Sequence, residues 1–195
     1  STANNAYAIA VTVSAPDLAV TAATLPAAIS WGEKLVLTWT VTNQGSVAAP
    51  YAYWYDYLYL SVDNALGTTG DNTSLTYRYH DNSSALSAGG SYTEELSYTY
   101  DRTLSGDFYL LFVTDAYNYQ GETDETDNVR AVAVHINAGP DLTVSGATVP
   151  ASGSPGGTVE LSWTVANGGT GPAGGTWSDA VYLSSNETWE SGDSW

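Results

Sequence analysis

The stretch PDLAVTAATLPAAISWGEKLVLTWTVTNQG, Pro16–Gly45, returns as PDLTVSGATVPASGSPGGTVELSWTVANGG, Pro140–Gly169, with 16 of 30 aligned positions identical and no gap. A self-similarity of this length marks a repeat architecture, here with a period near 124 residues. After one deletion the match resumes: Trp54, Asp56, Tyr59, Leu60 and Ser61 return as Trp177, Asp179, Tyr182, Leu183 and Ser184. Within the repeat, Leu35, Leu37, Trp39 and Val41 share one parity and Val36, Thr38, Thr40 and Thr42 the other. The copy keeps this, with Val159, Leu161, Trp163 and Val165 on one side. A period of two held in both copies predicts a half-buried antiparallel strand with a Trp in the core.

Outward from that strand, the same reading gives strands near 18–24, 52–61, 74–79, 91–100, 107–115 and 128–137, separated by turn-rich stretches such as NQGS, SAGG and LSGD. No stretch sustains apolar spacing at helical period. The expected fold is all-β, a seven-stranded immunoglobulin- or fibronectin-like antiparallel β-sandwich, repeated along the chain. Cysteine is absent, so the core relies on Trp39, Trp54, Phe108, Phe112 and the aliphatic strands rather than on an inter-sheet disulfide.

The first residues, STANNAYAIAVTV, align with Asp124–Ile136, DETDNVRAVAVHI, which ends the complete repeat. The expected organisation is therefore a final strand of a preceding module plus linker at 1–15, a complete module at 16–138, and the first half of a second module at 139–195. In residues 1–13, Tyr7, Ile9, Val11 and Val13 share one parity and form an amphipathic strand suited to pairing with the incomplete module of a neighbouring copy by β-strand addition. The other reading is a segment cut from a longer array.

Net charge is -17, from 21 acidic and 4 basic residues. Nucleic-acid binding needs clustered cations, and Lys34, Arg78, Arg102 and Arg130 are scattered, so nucleic acid and anionic membrane surfaces are excluded as partners. No apolar run is long enough to predict a membrane-spanning helix. The histidines, His80 and His135, fall in no spaced metal motif, and no nucleophile or phosphate-binding loop is present, so no catalytic constellation emerges.

Acidic loops carry the strongest chemical signal. Asp115, Glu122 and Glu125 crowd the connection between two strands, with Asp63 and Asp71 in another loop. Such carboxylates suit Ca²⁺, which takes six to eight oxygen ligands; the alternative is a solvated acidic surface. Asp56 shares parity with Trp54, Leu58 and Leu60, so a carboxylate points inward. It must be hydrogen-bonded or ion-paired, with Arg130 on the final strand as the candidate partner. On the opposite parity Tyr51, Tyr53, Tyr55, Tyr57 and Tyr59 line one face. That face suits a flat protein contact or stacking of surface glycans, or else rings that cover one another.

The PDL opening at Pro16, WTVTNQG at 39–45, W-x-D-x-x-Y-L-S at 54–61, LSGDFYLLFVTDA at 104–116 and the acidic ETDETDN at 122–128, in this order, resemble the CARDB family, the cell-adhesion-related domain found in bacteria. The resemblance implies immunoglobulin-like modules strung together in large secreted or surface proteins, an adhesive or spacer role in an adhesin or extracellular fibre, neighbouring modules as partners, and no catalytic activity.

Overall fold

The structure is a computed structural model that describes residues 7–50, 53–67, 72–81, 85–101 and 103–193. Tyr51 and Asp71 lie outside the described residues. The chain folds as two units, Ser1–Gly139 and Pro140–Trp195.

The first unit contains β1 (Leu18–Thr24), β2 (Ala28–Ile29), β3 (Lys34–Asn43), β4 (Tyr53–Ser61), β5 (Thr73–Asp81), β6 (Ser91–Thr99), β7 (Gly106–Val113) and β8 (Val129–Ile136). They form a three-stranded sheet, β1-β3-β6, and a five-stranded sheet, β2-β8-β7-β4-β5. All pairings are antiparallel except β2 with β8. The inner faces meet in one core: Leu18, Leu35, Leu37, Trp39 and Val41 from one sheet lie against Trp54, Leu58, Leu60, Leu110, Phe112, Val134 and Ile136 from the other. Trp39 and Phe112 rings touch across it at 5.8 Å. Burial of each such side chain contributes about 1.5–3 kcal/mol, and with no disulfide these aromatic and aliphatic groups hold the sheets together.

The expected seven strands become eight in this unit because of β2. It spans two residues and is held by His135 N–H donating to Ala27 O and Asn137 N–H to Ile29 O, at 3.1 and 2.8 Å. Two residues are too few for an alternation to register in the sequence. The second unit contributes β9 (Leu142–Thr148) and β10 (Ser162–Asn167), one antiparallel pair, so the described residues hold ten strands in three sheets. Leu161 and Trp163, whose counterparts Leu37 and Trp39 are buried, are exposed in this unit. Residues 7–13 form no strand in this chain, and Tyr7, Ile9, Val11 and Val13 are exposed, Tyr7 at 90%.

Candidate functional site

Three constellations follow from this frame. The first is built on Asp56, in the middle of β4, whose alternation turns it inward with Trp54 and Leu58. It is 2% exposed. Trp39 Nε1 on the opposite sheet donates to Oδ2 at 2.9 Å, Tyr92 Oη donates to the same oxygen at 2.8 Å, and Thr114 Oγ1 donates to Oδ1 at 2.9 Å. Burial pushes the carboxyl up to about 6, although the three donors pull it down. The expected ion pair with Arg130 is not formed. Arg130 lies opposite Phe112 at the start of β8, on the inward parity, yet it is exposed. Alternation assigns a face and not a depth, and at the rim of the sandwich a guanidinium stays hydrated rather than bear the cost of burial.

In the second unit Trp163 Nε1 donates to Asp179 Oδ2 at 3.0 Å, so the Trp–Asp bond recurs although both side chains are exposed there. Two further devices recur. Asn43 Oδ1 accepts from Asp17 and Gly45 N–H while its Nδ2 donates to Val47 O and Leu86 O; Asn167 accepts from Asp141 and Gly169 and donates to Gly171 O. Asp63 Oδ1 accepts from Ala65 N–H at 2.9 Å, as Asn186 Oδ1 does from Thr188 N–H at 2.7 Å. An Asx turn needs an acceptor and not a charge, which explains why Asp63 becomes Asn in the copy. Asp63 therefore builds a turn.

The second constellation is aromatic. Tyr53, Tyr55, Tyr57 and Tyr59 lie on the outer face of the five-stranded sheet, as the alternation requires. The structure adds Tyr77 and Tyr79 from β5, and Tyr117 and Tyr119 from the segment after β7, which runs beside β4 through Ala116 N–H donating to Tyr55 O at 3.0 Å. Tyr57 stacks on Tyr59 and Tyr77 at 5.6 and 5.4 Å, and Tyr117 meets Tyr55 edge-on at 5.4 Å. Tyr57 Oη and Tyr117 Oη are hydrogen-bonded at 2.8 Å, which, with burial, pushes the Tyr57 phenol up to about 12. Among these rings only Tyr57 is stacked face to face, on Tyr59 and Tyr77, while Tyr53, Tyr77, Tyr79 and Tyr117 remain exposed, so the patch presents aromatic surface to solvent. The spacing YRY at 77–79 and YNY at 117–119 carried the signal for the added rings, but not the fold-back that gathers them.

The third is the acidic connection between β7 and β8. Asp115 has a left-handed φ of 40°, and its buried carboxylate caps the following turn, accepting from Tyr119 N–H at 3.0 Å and Gln120 N–H at 2.8 Å. Burial raises its pKa despite both bonds. Glu122 reaches back to β1, its Oε2 accepting from Leu18 N–H at 2.5 Å. Burial first, then Glu125, Asp115 and Asp17, push Glu122 up to about 8. Glu125 accepts from Asn128 Nδ2 at 3.0 Å. Asp115, Glu122 and Glu125 thus lie in one connection with Asp127, and the structure adds Asp17 from the start of the module and the amides of Asn118 and Asn128. Among the described residues no three carboxylate or imidazole groups converge as a metal cluster.

A comparison with curated proteins found no match. The chain is similar to a CARDB domain from Pyrococcus furiosus solved in complex with di-metal ions, at 17% identity and a TM-score of 0.47, covering 65% of this chain and 97% of that one. It is also similar to β-glucosidases from Listeria innocua (19% identity, TM-score 0.38) and Erythrobacter marinus (12%, 0.42), covering 63% and 62% of this chain but only 16% and 15% of those enzymes. The CARDB family profile matches residues 15–132, from the linker before β1 into β8, more than half of the sequence. The chain, a β-sandwich module with its start repeated downstream, belongs to the CARDB family.

Proposed function

We propose that this chain is a non-catalytic structural segment of a secreted or cell-surface bacterial adhesin or extracellular fibre, acting through length, stiffness and contact with neighbouring modules of the same protein. One observation carries the reading. The polar groups that recur between the two copies, Trp39–Asp56, Asn43 and Asp63, all make structural hydrogen bonds that tie strands and turns. What the repeat preserves is mechanical scaffolding. The linkers support stiffness: Pro16 and Pro140 each follow a short connection, and proline restricts itself and the residue before it.

Head-to-tail assembly by β-strand addition of residues 1–13, whose sequence aligns with the segment that ends in β8, is the second reading. The aligned strand β8 ladders onto β7 over eight residue pairs and meets β2 over two.

Pulling on tandem copies of the chain by single-molecule force spectroscopy tests the proposal. Each complete module should resist and then release about 40 nm of contour, set by about 3.6 Å per residue. Extension without discrete force peaks would overturn the structural reading.

A further inference from the structure

The chain has no cysteine and no methionine, so it lacks the sulfur atoms that oxidants attack first, and tyrosine, with 15 residues against 7 tryptophans, is its most abundant oxidisable side chain. Among the described residues, eight tyrosines form one continuous network on the outer face of the five-stranded sheet, each ring centroid within 6.2 Å of the next. At its centre Tyr57 touches Tyr59, Tyr77 and Tyr117. Tyr117 differs from the other two because its hydroxyl is hydrogen-bonded to that of Tyr57 at 2.8 Å, with ring centroids 5.8 Å apart. The ring carbons beside each hydroxyl therefore flank one short bond. Tyr117 is 53% exposed and Tyr57 is half-buried, so an oxidant in solvent reaches the pair.

One-electron oxidation of a phenol, with its proton lost to water, leaves a phenoxyl radical whose unpaired electron is shared with the two carbons beside the oxygen. Because the rings of the network are in contact, a radical formed on one passes to its neighbours. Two such radicals on adjacent rings couple. A carbon–carbon bond forms between their ortho positions, and each ring then moves its ortho hydrogen to its own oxygen through solvent, which restores both phenols. In sum two tyrosines lose two hydrogen atoms, and one hydrogen peroxide takes them up to become two waters.

We propose that Tyr57 and Tyr117 are an oxidative cross-linking site, coupled ring to ring by a peroxide-driven one-electron oxidant. The bond joins β4 to the connection after β7 across 60 residues of sequence, in a module without a disulfide. Its role rests on the structural reading proposed above: the cross-link withholds residues 57–117 from the length that the module can release under force. Closing so long a loop also restricts the unfolded chain, as a disulfide does.

The test treats the whole chain with hydrogen peroxide and a haem peroxidase. The intact monomer should lose the mass of two hydrogens and gain dityrosine fluorescence. Trypsin cuts after Lys34, Arg78, Arg102 and Arg130, which puts Tyr57 in peptide 35–78 and Tyr117 in peptide 103–130. These two should be recovered joined, with fragmentation placing the link at Tyr57 and Tyr117. Tyr57→Phe and Tyr117→Phe keep the packed rings and remove one hydroxyl, so both should fold; each should reduce the joined species at least tenfold, whereas Tyr98→Phe on the other sheet should leave it unchanged. In the pulling measurement, oxidation should shorten the contour released per module from about 40 nm to about 20 nm, since 60 residues at about 3.6 Å each are withheld. No joined peptide, a link found only between chains, or a joined species undiminished in Tyr117→Phe would overturn the proposal. Because the peptide map reads the cross-link without any pulling, its failure and that of the structural reading are told apart.

Discussion

Replacing Asp56 with asparagine should change how stability depends on pH more than it changes the fold. The wild-type carboxyl sits at about 6 in the folded chain against 3.8 for the ordinary group, with burial as the main cause. A folded pKa above the unfolded one means that the folded state holds its proton more tightly. The stabilisation from this group is fully present below about pH 4 and is lost as pH rises through 6. The shift corresponds to about 3 kcal/mol in all, of which about 2 kcal/mol is lost between pH 4 and 7. Because Asp56 is only 2% exposed, solvent screening does little to reduce it. The amide in the Asp56→Asn variant would be neutral throughout. It must set its N–H₂ against one of three donors, a cost that is independent of pH; Thr114 can rotate its hydroxyl to accept, whereas Trp39 Nε1 cannot. Urea unfolding of both proteins at pH 4, 5, 6 and 7 should therefore show Asp56→Asn gaining on wild type by about 2 kcal/mol across the range. Glu122, Asp115, Glu125 and Asp127 also have raised pKa values, but they occur in both proteins and cancel in the difference. If the two stability profiles run parallel, the buried carboxylate is not titrating as the geometry requires.

Other substitutions probe the repeated devices. Asn43→Ala strands the N–H groups of Asp17 and Gly45 and the carbonyl of Val47, leaves Leu86 O with the Ala49 N–H alone, and should cost about 2–4 kcal/mol by denaturant titration. Gly45→Ala places a Cβ on the backbone of Ala15, Pro16 and Asp17, which cannot rotate away; the urea midpoint should fall by the equivalent of about 1–3 kcal/mol. Tyr55→Ser combined with Tyr57→Ala gives β4 the residues of the copy, Ser178 and Ala180. It should keep the far-UV spectrum, lose the near-UV tyrosine signal of the stacked rings, and lower stability by about 1–3 kcal/mol.

The strand pattern was legible because alternation is a property of the local backbone. Successive side chains point to opposite faces whatever the rest of the chain does, so Trp39, Trp54, Asp56 and the tyrosine row could be assigned to faces from order alone. The 124-residue repeat was equally legible, since it is sequence compared with itself. Tertiary structure decided what depends on distance through space. Two sheets had to stack before Trp39, Tyr92 and Thr114 could surround Asp56, and before the rim position of Arg130 became solvent. The connection after β7 had to fold back along β4 to bring Tyr117 onto Tyr57. Glu122 meets Leu18 across 104 residues of sequence. Periodicity records the face a residue takes, whereas partners, depth and the gathering of oxygens at the β1 end arise only when loop closure brings distant segments together, because no local backbone preference encodes those contacts.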